Sequence, residues 1–167
     1  FTNYYPQVFF EGKVMDFLQE KIHQLETKHW LSKRGINLSD YFVEPLVATI
    51  DIPIKFDEEN IALIIKKRRM PFSQLKSILT PTRQIILVGD PGVGKSGALA
   101  KLTIDMLRKA STLMFRGASK RKIKIPVLVS TKEILEADNS EELLKKYLVT
   151  PDIIGRFKVQ VLMIDAL

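Results

Sequence analysis

The sequence predicts an α/β fold: a parallel sheet flanked by helices, preceded by a mainly helical N-terminal segment. Three observations carry that prediction. Apolar runs of strand length at 84–88, 123–129 and 158–164 alternate with stretches of helical periodicity. The first run feeds straight into a glycine-rich loop that opens an amphipathic helix, the join between a parallel strand and its crossover. The runs are nearly continuous in Val, Ile and Leu, as in strands buried on both faces. Strands spaced by helices in this way form parallel βαβ units with right-handed crossovers.

Taken in order, residues 12–30 place Val14, Phe17, Leu18, Ile22 and Leu25 at helical spacing with charge opposite. That helix buries one face. His23 and His29 lie on it and read as surface residues, and these 2 histidines support neither a Ser-His-Asp set nor a metal-ligand spacing. The polar stretch 32–40 ends the helix, with Gly35 as the stop. Residues 41–54 read as extended, with Pro45 and Pro53 limiting their regularity. Residues 57–69 carry acids early and bases late, the order a helix dipole favours. Residues 71–79 read as a short helix with Phe72, Leu75, Ile78 and Leu79 on one side. The pattern changes near 80–82, which divides the chain into a helical and extended segment, 1–81, and an α/β region, 82–167. In the second region, 96–109 is helical with Leu99, Leu102, Met106 and Leu107 inward. Residues 131–137 read as a turn of helix and 140–148 as a clearer helix that Ser140 can cap.

Composition bounds the function. A chain of 167 residues can build one ordinary domain core. It is 46% hydrophobic and 27% charged, a globular balance. It contains no uninterrupted apolar run long enough to span a membrane. The opening Phe1-Thr2-Asn3-Tyr4-Tyr5-Pro6 lacks the basic flank and apolar stretch of a signal peptide. It also lacks an initiating Met, as expected of a processed or excised piece. With 0 cysteines, disulfides and thiolate metal sites are excluded, and a reducing cytoplasm is the expected location. The net charge of +7 makes nucleic acid a candidate partner through Lys66-Lys67-Arg68-Arg69 and Lys120-Arg121-Lys122 with Lys124. Neither cluster has interleaved aromatics of the kind that stack on bases, so solvated surface accounts for the charge better than a nucleic-acid site does.

Residues 89–96 read Gly-Asp-Pro-Gly-Val-Gly-Lys-Ser, matching G-x-x-x-x-G-K-[ST] without a mismatch. This is the Walker A pattern, which predicts the phosphate loop of a P-loop NTPase; the alternative is a glycine-rich turn with an incidental Lys-Ser. Gly92 and Gly94 permit backbone conformations a side chain would forbid. The amides of 92–96 can then converge on phosphate oxygens, reinforced by the positive end of the helix dipole. Lys95 reaches the β- and γ-phosphates as a compact charge. Ser96 Oγ suits a magnesium ion. The expected nucleotide contacts are Gly89, Asp90, Pro91, Gly92, Val93, Gly94, Lys95, Ser96 and Gly97. Asp90 either holds the loop through backbone amides or is a simple turn residue.

Phosphoryl transfer also needs a carboxylate for the metal at the end of a neighbouring strand. Val159-Gln160-Val161-Leu162-Met163-Ile164-Asp165 is an apolar strand ending in Asp, the Walker B pattern. Lys95 and Asp165 are therefore the expected catalytic residues, Ser96 and Asp165 the expected magnesium ligands, and ATP with Mg²⁺ the expected cofactor pair.

Three segments together resemble the opening of a NACHT domain, within the STAND class of signalling ATPases. They are Gly89-Asp90-Pro91-Gly92-Val93-Gly94-Lys95-Ser96, Ile125-Pro126-Val127-Leu128-Val129-Ser130 and Leu162-Met163-Ile164-Asp165-Ala166-Leu167. The segment 41–50 is similar to the aromatic-Val-x-Pro-Leu lead-in of bacterial members. The resemblance covers 82–167 well and 41–81 loosely. It implies an ATP-driven switch that binds and slowly hydrolyses ATP, with nucleotide state controlling homo-oligomer assembly and signalling, in prokaryotes often in defence. It also implies that the module continues past Leu167 with a second acidic pair, a sensor strand, an arginine-bearing region and a lid. On that basis the sheet is partial, truncated after the Walker B strand, and the fragment is expected to bind nucleotide but hydrolyse it poorly.

Other readings remain. The basic charge suits a P-loop ATPase acting on nucleic acid, such as an AAA+ or helicase-like loader. A small-molecule kinase would need an arginine-bearing lid soon after the loop, which is not evident. A GTPase is disfavoured, because no Asn-Lys-x-Asp segment appears and Asp165-Ala166-Leu167 does not match Asp-x-x-Gly. An interaction module without nucleotide is the last alternative.

Overall fold

The computed structural model of the chain describes residues 5–28, 34–48, 69–78, 87, 90–118, 123–136 and 159–165. Along the described residues run α1 (Tyr5–Thr27), α2 (Leu38–Tyr41), β1 (Leu46–Ala48) and β2 (Arg69–Pro71). A 3₁₀ turn at Phe72–Gln74 leads into α3 (Leu75–Ile78). There follow α4 (Lys95–Phe115), β3 (Lys124–Ser130), α5 (Thr131–Glu136) and β4 (Val159–Asp165).

The first helix begins earlier than its apolar spacing predicts, at Tyr5 rather than near residue 12, and closes at Thr27. Thr27 Oγ1 donates to the His23 carbonyl at 2.8 Å, a local bond that replaces a continuing helical one at the end. Gly35 follows with φ +73°, a left-handed turn that suits glycine. His23 is exposed; His29 lies outside the described residues.

The helix α4 is the hub, because it is apolar around more than one face. One face presents Ile104, Leu107 and Ala110 to Val14, Phe17, Leu18 and Ile22 of α1, with Leu38, Ile123 and Ile125 completing the cluster. A second face presents Ala98, Leu102 and Met106 to Phe72 and Leu75, with Phe42, Val47, Met70, Leu87 and Leu128 packed around them. Burying a Leu, Ile or Phe side chain stabilises by about 1.5–3 kcal/mol, so these two seams hold the elements against α4. Leu102, Met106 and Leu107 are buried as their spacing predicts, whereas Leu99 is half-buried and Ala98 takes the inward position beside it.

One carboxylate is buried with them. Glu26 near the end of α1 accepts hydrogen bonds from the Ser39 amide at 2.9 Å and the Ser39 hydroxyl, and pairs with Arg108 Nη2 at 2.8 Å. A buried charge requires such partners, and here they come from α2 and α4.

Two pairs of strands form among the described residues. β1 and β2 are antiparallel, with Leu46 opposite Pro71 and Ala48 opposite Arg69. Arg69 therefore belongs to a strand and not to the end of a helix, and Pro71 closes that strand instead of opening the next helix. Two other local interactions fix the corner. Phe72 N donates to the Pro45 carbonyl at 3.0 Å, and Glu44 Oε1 accepts from Ser73 N at 2.6 Å. The helices expected at 57–68 and 140–148 lie outside the described residues, as does the strand at 84–88 except for Leu87. β3 and β4 run parallel, in register from Lys124 opposite Val159 to Ser130 opposite Asp165.

Candidate phosphate-binding site

The loop before α4 is built by its glycines. Gly92 and Gly94 have φ of +84° and +85°, the left-handed region that L side chains rarely adopt. Val93 N donates to the Asp90 carbonyl at 3.4 Å, a turn closed across Pro91 and Gly92. Gly94 caps α4 without a side-chain hydrogen bond, and Ala98 N closes the first helical turn on the Gly94 carbonyl at 2.8 Å.

Lys95 is the first residue of α4, and its side chain folds back over the loop. Its Nζ donates to the Asp90 carbonyl at 2.9 Å. The ammonium is thus held against the turn, with a neutral carbonyl as an acceptor that an anionic oxygen can replace with a stronger, charge-assisted bond. Asp90, Pro91, Gly92, Val93, Gly94 and Ser96 are all exposed, while Lys95 and Gly97 are half-buried. Gly89 lies outside the described residues.

Opposite elements meet at the carboxyl edge of the parallel pair. Ser130 and Asp165 are register partners and end their strands together. The chain leaves β3 by a capping box. Ser130 N and Ser130 Oγ donate to Glu133 Oε2 at 3.0 and 2.9 Å, while Glu133 N donates to Ser130 Oγ at 3.2 Å. The sequence predicts a turn of helix at 131–137 without its cap, and the strand register that sets Ser130 beside Asp165 is not local. In open α/β sheets ligands bind at this carboxyl edge.

A hydroxyl and a carboxylate are hard oxygen donors of the kind Mg²⁺ takes, and Mg²⁺ is held by one or two carboxylates plus phosphate oxygens and waters. Among the described residues, no group of three or more His, Cys, Asp and Glu side chains is placed to hold a metal ion.

The chain matches no family model, no curated protein and no solved structure. No helix among the described residues is long and apolar enough to cross a membrane. Of the basic clusters, Arg69 is exposed and Lys124 half-buried in β3; the other members lie outside the described residues.

Proposed function

We propose that this chain binds a nucleoside triphosphate, ATP with Mg²⁺, in the loop at 89–96, as part of a P-loop NTPase of the NACHT type acting as a nucleotide-dependent signalling switch. The observation that carries this reading is the loop itself. Two left-handed glycines, a lysine folded over the turn and a helix start with glycine at its cap coincide within a G-x-x-x-x-G-K-S sequence.

In this reading the amides at the start of α4 bind phosphate oxygens and the helix dipole adds its positive end. Lys95 exchanges the Asp90 carbonyl for a phosphate oxygen and neutralises charge there. Ser96 and Asp165 hold the metal, which when bound neutralises the β- and γ-phosphates and orients them. Binding is the chemistry these residues support most directly, with hydrolysis and homo-oligomer assembly following from the NACHT resemblance and a cytoplasmic setting from the lack of cysteines.

The test is calorimetric titration of ATP with and without Mg²⁺ into the chain and into Lys95→Ala. The expected result is measurable binding that the variant loses while keeping its circular dichroism spectrum. Equal affinity in the two proteins would remove the phosphate site.

The surplus of positive charge, +7 overall, favours one second reading: a P-loop ATPase that acts on nucleic acid. Filter binding of single- and double-stranded DNA across a salt series separates the two. A steep loss of affinity with salt at sub-micromolar protein supports the second reading.

A further inference from the structure

The loop makes no use of Glu26, yet this carboxylate is only 4% exposed. It joins three helices: α1 carries it, Ser39 of α2 donates to it twice, and Arg108 of α4 pairs with it at 2.8 Å. Below this latch runs the apolar seam of Val14, Phe17, Leu18 and Ile22 against Ile104, Leu107 and Ala110. α1 and α2 therefore form an arm clamped along α4. Glu26 is the buried partner and Arg108 the half-exposed one, so removing Arg108 leaves a buried carboxylate short of a partner.

The same helix begins at the phosphate loop. Arg108 lies about 20 Å along the axis from Lys95, at 1.5 Å per residue. Gly94 provides no side-chain cap there, and the positive end of the helix dipole favours an anion at that end. An anion in the loop would stabilise one end of α4, and the arm covers its other half. Two ligands that stabilise one element are positively linked, because the second meets a helix already ordered by the first.

We infer that docking of the α1–α2 arm through Glu26 and Arg108 is coupled to occupancy of the phosphate loop: a filled loop tightens the arm, and an opened latch weakens the hold on phosphate. The inference rests on the triphosphate reading above.

The experiment measures both directions of the linkage. Hydrogen exchange over residues 14–26 is followed in the chain with and without Mg-ATP, and Mg-ATP affinity is measured for Glu26→Gln and Arg108→Met. Gln keeps the volume of the carboxylate, and Met keeps the apolar stem of the arginine. Exchange over 14–26 should slow about fivefold or more with nucleotide, and each variant should lose ATP affinity by a similar factor. Unchanged exchange in a chain that does bind ATP overturns the linkage. So does a variant whose arm exchanges faster, or whose Tm falls, while its ATP affinity stays within about twofold of the parent, since that marks a purely structural latch. If neither variant folds, the exchange comparison on the unaltered chain decides alone. A chain that fails to bind ATP at all removes the triphosphate reading and the linkage with it, whereas binding without linkage removes only the linkage.

Discussion

Replacing Gly94 and Gly97 separately by alanine makes the same chemical change three residues apart and should give opposite signs. Gly94 has φ +85° and ψ +23°. An alanine forced into the left-handed region is strained by roughly 1–2 kcal/mol. The loss of backbone freedom in the unfolded chain returns about 0.4–1 kcal/mol. A Cβ built at Gly94 meets nothing within 4 Å, so no clash adds to this. The net is a destabilisation of about 1 kcal/mol, from backbone strain alone. Gly97 lies inside α4 with no positive φ, and its Cβ also meets nothing within 4 Å. There alanine gains helix propensity, up to about 0.8–1 kcal/mol in a helix interior and about half of that in a first turn.

The expected gap between the two variants is therefore about 1.5 kcal/mol, or roughly 3–6 °C in Tm for a chain of this size. Thermal unfolding followed by circular dichroism, at matched protein concentration and without nucleotide, reads it. Gly94→Ala melting at or above the parent would refute the argument, because it would mean the loop does not hold the left-handed conformation. Equal losses in both variants would refute it too, since a Cβ near the helix start would then be the problem rather than the sign of φ.

The remaining predictions follow from single contacts. Lys95→Ala removes a charge-assisted bond worth about 1.5–3 kcal/mol, so ATP affinity should fall roughly 10- to 100-fold in calorimetry while the unfolding curve barely moves. Asp165→Asn should weaken the Mg²⁺ dependence of ATP binding by at least about tenfold, the lower end of what even outer-shell partners of a metal cost; a superimposable metal titration would contradict the metal role. Leu107→Ala, at a position 1% exposed, should cost about 2–5 kcal/mol in urea unfolding, whereas Leu135→Ala, at 80% exposed, should stay within about 0.5 kcal/mol.

How much of this was legible in the sequence divides by the range of the interactions involved. The loop and the start of its helix were legible because they are local: the positions of Gly92, Gly94 and Lys95 determine a turn, a cap and a first residue within eight positions. The inner face of α1 was legible too, since Val14, Phe17, Leu18 and Ile22 repeat at helical spacing and are all buried. β1 and β2 were not. They are strands of three residues each, and what makes them strands is pairing between Leu46–Ala48 and Arg69–Pro71, which no periodicity within either segment encodes. The acids-then-bases order of 57–69 pointed to a helix through Arg69, and the nonlocal pairing of Arg69 with Ala48 prevailed at that position.

The far end of α4 is the instructive case. Its apolar repeat fades after Leu107 into Arg108, Lys109, Ser111 and Thr112, so periodicity alone ends the helix near 109. The helix instead runs to Phe115. The polar residues are not all outward: Ser111 is buried and its hydroxyl lies 3.7 Å from the Met15 sulfur, while Arg108 reaches across to Glu26. Thr112 Oγ1 turns inward on its own helix, donating to the Arg108 carbonyl at 2.9 Å. What reads as the loss of an apolar face is the change from an apolar seam to a polar one, made against α1. The stop was in the sequence all along, as Gly117, whose φ of +67° ends the chain's helical course; Gly117 N donates to the Met114 carbonyl at 2.9 Å and Ala118 N to the Leu113 carbonyl at 2.9 Å. Leu113 and Met114 also pack against the cluster that α1 lines, so the last turns of α4 are stabilised from that side. Removing α1's contacts should therefore fray α4 from Phe115 backward.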